Sequence, residues 1–333
     1  MAKKTLVTGA AGFIGSAVVR RLLARGREVK CYLEPNARLT NLEGLDVERI
    51  EGDVNDRDQI ARALEGCDKL YHLAAIYSLW LPDGSKMYEV NVEGTKTVLW
   101  AAYKANLDKV VYTSSIAAVG LRDGAPSDET VAFNYWDDAN SYIRSKWLSE
   151  RDALRFAREG LPLVVVNPCF PFGERDIGPT PTGKFIVEAL RGRVPGYMDG
   201  GFCAVDVEDV AEGHILADEK GKLGERYILG AHNVTYRDFY KVVGEVANVR
   251  IPDRKIPGWF TRGIGWVSEN VSNRITHKPP QITYKAAAMA TRFMYFDCSK
   301  AIRDLGLPQT PLRDSVERSV AWFRAHGYDR VQG

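Results

Sequence analysis

The sequence predicts an α/β fold in which a doubly wound parallel sheet is joined to a smaller C-terminal substrate lobe. Short β-rich runs alternate with helix-like stretches through the first half of the chain, and this alternation is typical of βαβ units. A glycine-rich loop follows the first β-rich run. After Asn167 the alternation gives way to proline- and glycine-rich text, which cannot continue a strand-helix pattern and predicts a second lobe.

The composition is that of an ordinary globular protein. The chain has 333 residues, of which 45% are apolar and 26% charged, so it is long enough to bury a core. Lys and Arg (45) nearly balance Asp and Glu (43), which leaves a formal net charge of +2. Proteins that bind nucleic acid typically carry a large excess of basic residues, so nucleic acid is not expected as a partner. No uncharged apolar stretch approaches the ~20 residues of a transmembrane helix. The N-terminal residues do not resemble a signal peptide.

The cysteines and histidines do not form recognisable metal-binding motifs. The cysteine count is odd and no CxxC pair occurs, which favours neither a disulfide framework nor a zinc site. We therefore expect no metal ion, and a reducing cytoplasmic location. The five histidines are expected to be capping or surface residues. These residues are Cys31, Cys67, Cys169, Cys203 and Cys298, and His72, His214, His232, His277 and His326.

The first half of the chain predicts six strands. Between the first two, apolar residues recur every four positions from Ile14, which predicts a helix from Gly12 to Arg25 packed on the sheet. We expect a nucleotide-binding domain from residues 1–166 and about 203–231, interleaved with a substrate lobe from about 167–202 and 232–333. The predicted strands are Thr5–Thr8, Glu28–Leu33, Val47–Ile50, Lys69–His72, Lys109–Thr113 and Leu163–Val166.

The glycine-rich loop TGAAGFIG occupies residues 8–15, between the first strand and the first helix. Glycines in this pattern allow a tight turn, close approach to a pyrophosphate and packing of the helix on the sheet. The helix N-terminus offers unpaired N–H groups to the anion. The loop therefore predicts a dinucleotide site of the Rossmann type, formed by Gly9, Ala11, Gly12, Phe13, Ile14 and Gly15.

Two acids follow the next strands. Glu34 ends the second predicted strand, where an acid accepts hydrogen bonds from the adenosine ribose and repels a 2′-phosphate, which favours NAD. Arg38 is close enough in sequence to bind such a phosphate, so NADP stays open as the alternative. Asp53 follows the third strand and is expected, with Val54, at the adenine end of the site. An equal reading makes Asp53 the N-cap of the helix that starts near Asp56.

The segment YIRSK places Tyr142 and Lys146 four residues apart, so that they are neighbours on a helix. A cation ~5 Å from the phenol, at an effective dielectric of ~20, favours the phenolate by ~3 kcal/mol. We therefore expect Lys146 to lower the pKa of Tyr142. Ser115 follows the fifth strand at the sheet edge where ligands bind, with Ser114 as the alternative if the register is off by one.

These motifs together resemble those of the extended short-chain dehydrogenase/reductase superfamily. The matching text is TGAAGFIG at 8–15, GDVND at 52–56, HLAA at 72–75, NVEGT at 91–95, YTSSIAAVG at 112–120, YIRSK at 142–146 and NPCFPFG at 167–173. The resemblance implies that Ser115 polarises the substrate oxygen, that Tyr142 is the general acid-base, and that Lys146 orients the nicotinamide ribose. It also implies further cofactor contacts at Leu73, Ala74, Ala75, Asn91, Thr113, Pro168 and Phe170, with Cys169 as a wall residue.

The text YTSSIAAVG is more similar to the 3β-hydroxysteroid dehydrogenase and dihydroflavonol reductase branch than to sugar epimerases. RDIGPTPTGKFI at 175–186, DVEDVAEGHILA at 206–217 and GERYILG at 224–230 resemble the bacterial hopanoid-associated "sugar epimerase" group. The resemblance implies an NAD(P)-dependent oxidoreductase for a secondary alcohol or ketone on a bulky apolar substrate, such as the 3-hydroxyl of a sterol or triterpenoid-like lipid. With a β-carboxyl group on the substrate, the ketone product would lose CO2 through an enolate.

Two other functions stay open. A nucleotide-sugar epimerase or dehydratase would need cations for the diphosphate, and Arg175, Lys184, Arg237 and Arg292 are candidates. A cofactor-binding regulatory protein without turnover is the second alternative, because fold alone does not establish function.

The region expected to bind substrate is rich in aromatic residues, including Trp259, Phe260 and Trp266. These side chains are expected either to build the core of the small lobe or to line a wide apolar pocket; peripheral contact with a membrane is a further reading. A homodimer is the expected assembly. The candidate substrate residues are Tyr77, Trp80, Ser115, Phe172 and Met198.

Overall fold

Strands and helices alternate through the first half of the chain, as predicted. The computed structural model describes residues 4–276, 280 and 282–330. In order, the first elements are β1 (Lys4–Thr8), α1 (Phe13–Ala24), β2 (Val29–Leu33), β3 (Glu48–Glu51), α2 (Arg57–Leu64), β4 (Cys67–His72), α3 (Ser85–Tyr88), α4 (Thr95–Lys104), β5 (Lys109–Thr113), α5 (Ser141–Arg158) and β6 (Leu163–Pro168). All six predicted strands are present.

The second half of the chain mixes shorter strands with helices. In order, its elements are β7 (Phe170–Phe172), α6 (Gly183–Leu190), β8 (Gly201–Asp206), α7 (Val207–Lys220), β9 (Arg226–Leu229), β10 (His232–Thr235), α8 (Tyr236–Ala247), α9 (Gly258–Val271), α10 (Tyr284–Met289), β11 (Phe293–Met294), α11 (Ser299–Leu305) and α12 (Leu312–Ala325). Short 3-10 or π-helical turns lie at Thr40–Leu42, Glu89–Gly94, Ile116–Ala118 and Ser272–Thr276.

Seven parallel strands form the main sheet in the order β3-β2-β1-β4-β5-β6-β9. The strands are buried on both faces, so their apolar runs are nearly continuous. In β6, for example, Val164 and Val166 pack on the same side as α1 and α7, whereas Val165 packs on the side of α2, α4 and α5. The winding reverses between β1 and β4, and such a reversal leaves a ligand-binding crevice at the carboxyl ends of the strands. The predicted doubly wound fold is confirmed.

The smaller lobe is built on β8, which pairs with β7, β10 and β11. Its core includes Phe172, Phe202 and Phe239, whose rings lie 4.8–5.9 Å apart. Because β8 belongs to this lobe, the chain returns to the layer beside the main sheet only with α7, at Val207. The sequence predicts this return at about residue 203. Near the C-terminus α11 packs on α7 and β9 of the main sheet, whereas α12 packs on α6 and α8. Within the described ranges, no helix has both the length and the apolarity needed to cross a bilayer.

Candidate active site

Residues at the carboxyl ends of the parallel strands meet along one edge of the main sheet. The loop from Gly9 to Gly15 follows β1, Glu34 follows β2, and Asp53 follows β3. Leu73 to Ala75 follow β4, and Thr113 to Ser115 end β5 and enter the next turn. Parallel pairing alone therefore brings together groups that are as much as 106 positions apart in the sequence, from Gly9 to Ser115.

The loop after β1 is held between the first helix and the end of β4. Gly9 has φ +68°, and a Cβ there would lie 2.7 Å from the Ala74 backbone nitrogen. A Cβ at Gly15 would lie 2.1 Å from the Gly9 carbonyl oxygen. Both positions therefore require glycine. Gly9 requires it because of its positive φ and its close approach to Ala74, and Gly15 because α1 packs directly against the loop.

Gly12 is the N-cap of α1 and has no side chain to cap the helix. Its own Cβ would approach the Gly9 carbonyl oxygen at 3.2 Å, with no other atom of the described residues close by. The first N–H groups of a helix have no intrahelical acceptors, and they carry the positive end of the helix dipole. The loop is therefore a backbone cradle with open space for an anion.

A buried polar chain sets the position of this cradle. The Thr8 hydroxyl contacts His72 Nδ1 at 2.7 Å, and His72 Nε2 contacts the Thr95 hydroxyl at 3.1 Å. Thr8 Oγ1 also accepts hydrogen bonds from the backbone N–H groups of Leu73 and Ala74, both at 3.2 Å. Burial lowers the pKa of His72 to about 3, so the ring is neutral. His72 is thus an internal positioning residue and not the surface or capping residue that its sequence suggests.

Asp53 and Asp56 have different roles after β3. The Asp53 carboxylate accepts hydrogen bonds from the Asn55 backbone N–H at 2.9 Å and from its side-chain amide at 3.0 Å. Asp56, by contrast, accepts from the backbone N–H groups of Asp58 and Gln59 at the start of α2. The reading of Asp53 as the helix N-cap is therefore wrong, because the helix begins three residues later. Glu34 and Arg38 are both exposed beside this edge.

Ser115 and Tyr142 face each other across the site. Ser115 lies two residues after the end of β5 and caps the turn at Ile116–Ala118 by accepting the Ala117 N–H at 3.1 Å. Burial raises the pKa of Tyr142 to about 12, while a hydrogen bond from Ser115 lowers it. Tyr142 is therefore a neutral phenol at pH 7, able to donate a proton and to receive one back.

Lys146 lies on the helical face of Tyr142 but its ammonium group points elsewhere. Its Nζ donates to the Thr113 carbonyl at 2.8 Å and to the Tyr112 hydroxyl at 3.4 Å. Burial lowers the pKa of Lys146 to about 8. The predicted lowering of the Tyr142 pKa by this cation is therefore wrong for this arrangement, because the long side chain turns towards the backbone of β5. Helical spacing brings the two Cβ atoms together but does not determine where the charged end lies.

Two asparagines brace the cluster of Ser115, Tyr142 and Lys146. Asn91 accepts the Ile76 N–H at 2.7 Å and donates to the Ser145 hydroxyl at 3.0 Å, which ties the loop after β4 to α5. Asn167 donates to the Ser115 carbonyl at 2.9 Å and to Glu150 at 2.5 Å. Asn167 and Glu150 were not identified from the sequence as residues of the site. The one signal for Asn167 was its place directly before Pro168 at the end of a strand.

A cavity of about 500 Å³ opens beside Tyr142. One part of its wall is apolar, and the rest carries polar and charged groups from α5, α9 and α10. Tyr77 borders the same region, since its ring centroid lies 4.9 Å from that of Tyr142. The apolar wall includes Leu79, Trp80, Leu81, Pro82 and Met87, and the polar wall includes Asn140, Ser141, Arg144, Glu269, Thr283 and Lys285.

Comparison with known proteins identifies the family. Residues 5–230 match the NAD dependent epimerase/dehydratase family. A putative dihydroflavonol 4-reductase of Synechocystis is 38% identical, over 100% of this chain and 98% of its own length. Sterol demethylase protein B of Methylococcus capsulatus is 34% identical, over 97% and 99%. The crystal structure of gox2253 is 42% identical, covers 98% of this chain and 99% of its own, and superposes with a TM-score of 0.87.

The chain belongs to the NAD dependent epimerase/dehydratase family. It is therefore an extended short-chain dehydrogenase/reductase, as the sequence motifs predict, and its cofactor is NAD. The cradle at Gly12 fits a pyrophosphate, because the start of α1 has unpaired N–H groups and the space around Gly12 is open. Ser114 adds a second indication, because its buried hydroxyl has no hydrogen-bond partner among the described residues and can bond a ligand at the end of β5. Ser115, and not Ser114, contacts Tyr142.

Two predicted substrate residues, Phe172 and Met198, do not line the cavity beside Tyr142. Phe172 is only 1% exposed and packs in the core of the small lobe, because β7 turns its side chain towards Phe202. Met198 is half-buried before β8 and, like Phe172, is absent from the described lining of the cavity. Trp80 does line the cavity.

Three of the scattered cysteines meet in the core. The sulfur atoms of Cys169, Cys203 and Cys298 lie within 4.8 Å of one another. They converge on Gly230, where a Cβ would lie 2.6–2.7 Å from all three. Burial raises the pKa of the Cys169 thiol well above its ordinary value, whereas hydrogen bonds from Cys169 and Cys298 lower the pKa of Cys203. All three side chains are buried in the apolar cluster beside the main sheet, where cysteine packs as a small apolar residue.

Proposed function

We propose that the chain interconverts a secondary alcohol and a ketone on a bulky, largely apolar skeleton, specifically at the 3-position of a sterol or triterpenoid-like lipid. The observation that carries this proposal is the set of apolar side chains, including Trp80 and Met87, that line the same cavity as Tyr142. The full-length similarity to a sterol demethylase protein supports the same substrate class.

In the proposed reaction Tyr142 handles the proton and Ser115 holds the substrate oxygen. During oxidation the substrate O–H proton passes to Tyr142 Oη, and during reduction the Tyr142 phenol returns it. Ser115 is held for this role by Asn167, which anchors its carbonyl at 2.9 Å. Lys146 supplies positive charge beneath the site and holds the end of β5 through the Thr113 carbonyl. Bound NAD supplies the acceptor or donor of the hydride.

The polar wall of the cavity suits a substrate with one anionic group. Arg144 donates to the Trp136 carbonyl at 3.0 Å and Lys285 to the Ala139 carbonyl at 2.8 Å, so backbone carbonyls hold both cations at the rim. A carboxylate β to the new ketone could pair with them. The substrate C–C bond would then break, with its electron pair passing into the enolate while CO2 leaves.

A nucleotide-sugar epimerase or dehydratase is the second candidate, since the family includes both. Arg144 and Lys285 are the observation that favours it, because they could also bind a diphosphate. The cations named from the sequence support it less. Among the described residues that line the cavity, none is Arg175, Lys184, Arg237 or Arg292. Arg237 and Arg292 are each paired with a surface aspartate, Asp253 and Asp138.

The test is to incubate the protein with NAD+ and either cyclodextrin-solubilised 3β-hydroxysteroids, with and without a 4-carboxyl group, or UDP- and dTDP-sugars. We expect steroid-dependent absorbance at 340 nm that Tyr142→Phe abolishes. Sugar interconversion without net NADH would overturn the proposal in favour of the epimerase. Binding of NAD without turnover on either panel would instead favour the regulatory alternative.

A further inference from the structure

Helix α9 and the turn that follows it expose an unusual row of large apolar side chains. Trp259 is 76% exposed, Trp266 61% and Ile275 72%. At about 100° per residue, the exposed apolar positions spread over roughly half of the helix circumference, on the side away from the buried Gly265. We call this row the α9 face; its members are Trp259, Phe260, Ile264, Trp266, Val267, Val271 and Ile275.

The opposite side of α9 packs against the protein. Gly265 is buried, and a Cβ there would lie 2.9 Å from the Thr283 carbonyl oxygen, so α9 lies directly on the start of α10. The α9 face therefore points outward, and a shallow, solvent-open apolar depression of about 540 Å³ lies between its side chains. Exposed apolar surface of this kind marks a protein or membrane contact.

The charges of this segment distinguish between those partners. Residues 258–276 contain two arginines, Arg262 and Arg274, and a single acid, Glu269. Both arginines are exposed, and Arg262 also donates a hydrogen bond to Thr291 Oγ1 at 3.1 Å. Glu269 is turned towards the protein, where it accepts the Tyr284 backbone N–H at 3.0 Å and lines the cavity beside Tyr142. The outward side thus combines tryptophan, aliphatic residues and positive charge, as in helices that lie in the interface of an anionic bilayer.

We propose that the α9 face docks the protein on an anionic lipid bilayer, with Trp259 and Trp266 inserted among the acyl chains and Arg262 and Arg274 at the headgroups. The docking site adjoins the proposed active site, because Glu269 of α9 and Thr283 and Lys285 next to it line the cavity that holds Tyr142. The cavity would then open beside the membrane that dissolves an apolar substrate. This last step rests on the proposed function, whereas docking itself does not.

The experiment is sedimentation of the full chain with sucrose-loaded vesicles of phosphatidylcholine alone or with 30% phosphatidylglycerol. We expect binding to the anionic vesicles, and a loss of at least tenfold for the double variant Trp259→Ser, Trp266→Ser. The matched control, Leu223→Ser with Ile302→Ser, removes two other exposed apolar side chains and should bind like the wild type. Arg262→Gln with Arg274→Gln should remove the preference for phosphatidylglycerol.

Absence of wild-type sedimentation with either vesicle would overturn the proposal, as would undiminished binding of the tryptophan variant. A change in the oligomeric state of that variant in light scattering, without a change in vesicle binding, would assign the α9 face to a second copy instead. Activity on cyclodextrin-solubilised steroid tests the proposed function separately, so failure of docking and failure of catalysis are distinguishable.

Discussion

A methyl group at Gly15 should abolish the cofactor cradle. In Gly15→Ala the new Cβ would lie 2.1 Å from the Gly9 carbonyl oxygen and 2.9 Å from its carbon, both rigid backbone atoms. The loop cannot retreat, because Gly9 already abuts Ala74 on its other side. Relief therefore requires a shift of about an ångström between α1 and the loop. Overpacking of this kind costs ~1–3 kcal/mol. If this cost falls on the conformation of the loop that binds NADH, the affinity for NADH falls by roughly 5- to 150-fold.

NADH fluorescence titration and a urea melt would measure the two consequences separately. The matched control is Gly263→Ala, another helical glycine, whose Cβ has no atom of the described residues within 4 Å and which should leave NADH affinity unchanged. If Gly15→Ala does not fold, Gly12→Ala provides the second reading, since its Cβ projects into the cradle with only a 3.2 Å approach to the Gly9 carbonyl. Gly15→Ala and Gly12→Ala variants that both bind NADH within twofold of the wild type would refute the reasoning.

Three further predictions concern the site. Tyr142→Phe should lower kcat by roughly 10²–10⁴ with little change in NADH affinity, whereas Tyr135→Phe, which removes another buried hydroxyl, should retain activity; equal losses would contradict the assignment. Glu34→Arg should change the ratio of the dissociation constants for NAD and NADP in favour of NADP. If calorimetry finds this ratio unchanged, Glu34 does not contact the adenosine ribose. Burial lowers the pKa of Lys146 from 10.5 to about 8, so the unfolded state binds more protons between these values and stability from this group rises with pH there. The free energy of unfolding of Lys146→Met relative to the wild type should therefore fall by up to ~3 kcal/mol between pH 8 and 10.5 in urea melts, on top of a pH-independent cost of leaving the Thr113 carbonyl without its donor.

The strands, the glycine loop and the order of the catalytic motifs were predictable because they depend on local pattern. A buried parallel strand reads as a short apolar run, and all six predicted runs form strands of the main sheet. The glycines at 9 and 15 were recognisable because their requirement comes from backbone geometry within one βα unit. Parallel pairing then gathers the strand ends at one edge, which is why the sequence also predicts where the proposed site lies.

Other properties depended on side-chain direction and on contacts between distant segments. The Lys146 ammonium turns to the Thr113 carbonyl, and His72 becomes an internal brace through Thr8 and Thr95. The core of the small lobe takes Phe172, while Trp259 and Trp266 stay on the surface, although all are aromatic residues of the same region. Composition cannot separate these outcomes, because burial is decided by which elements pack together. The sequence by itself therefore determined the fold, the family and the edge that binds NAD, and the tertiary structure decided which aromatic residues form core, cavity wall or exposed surface.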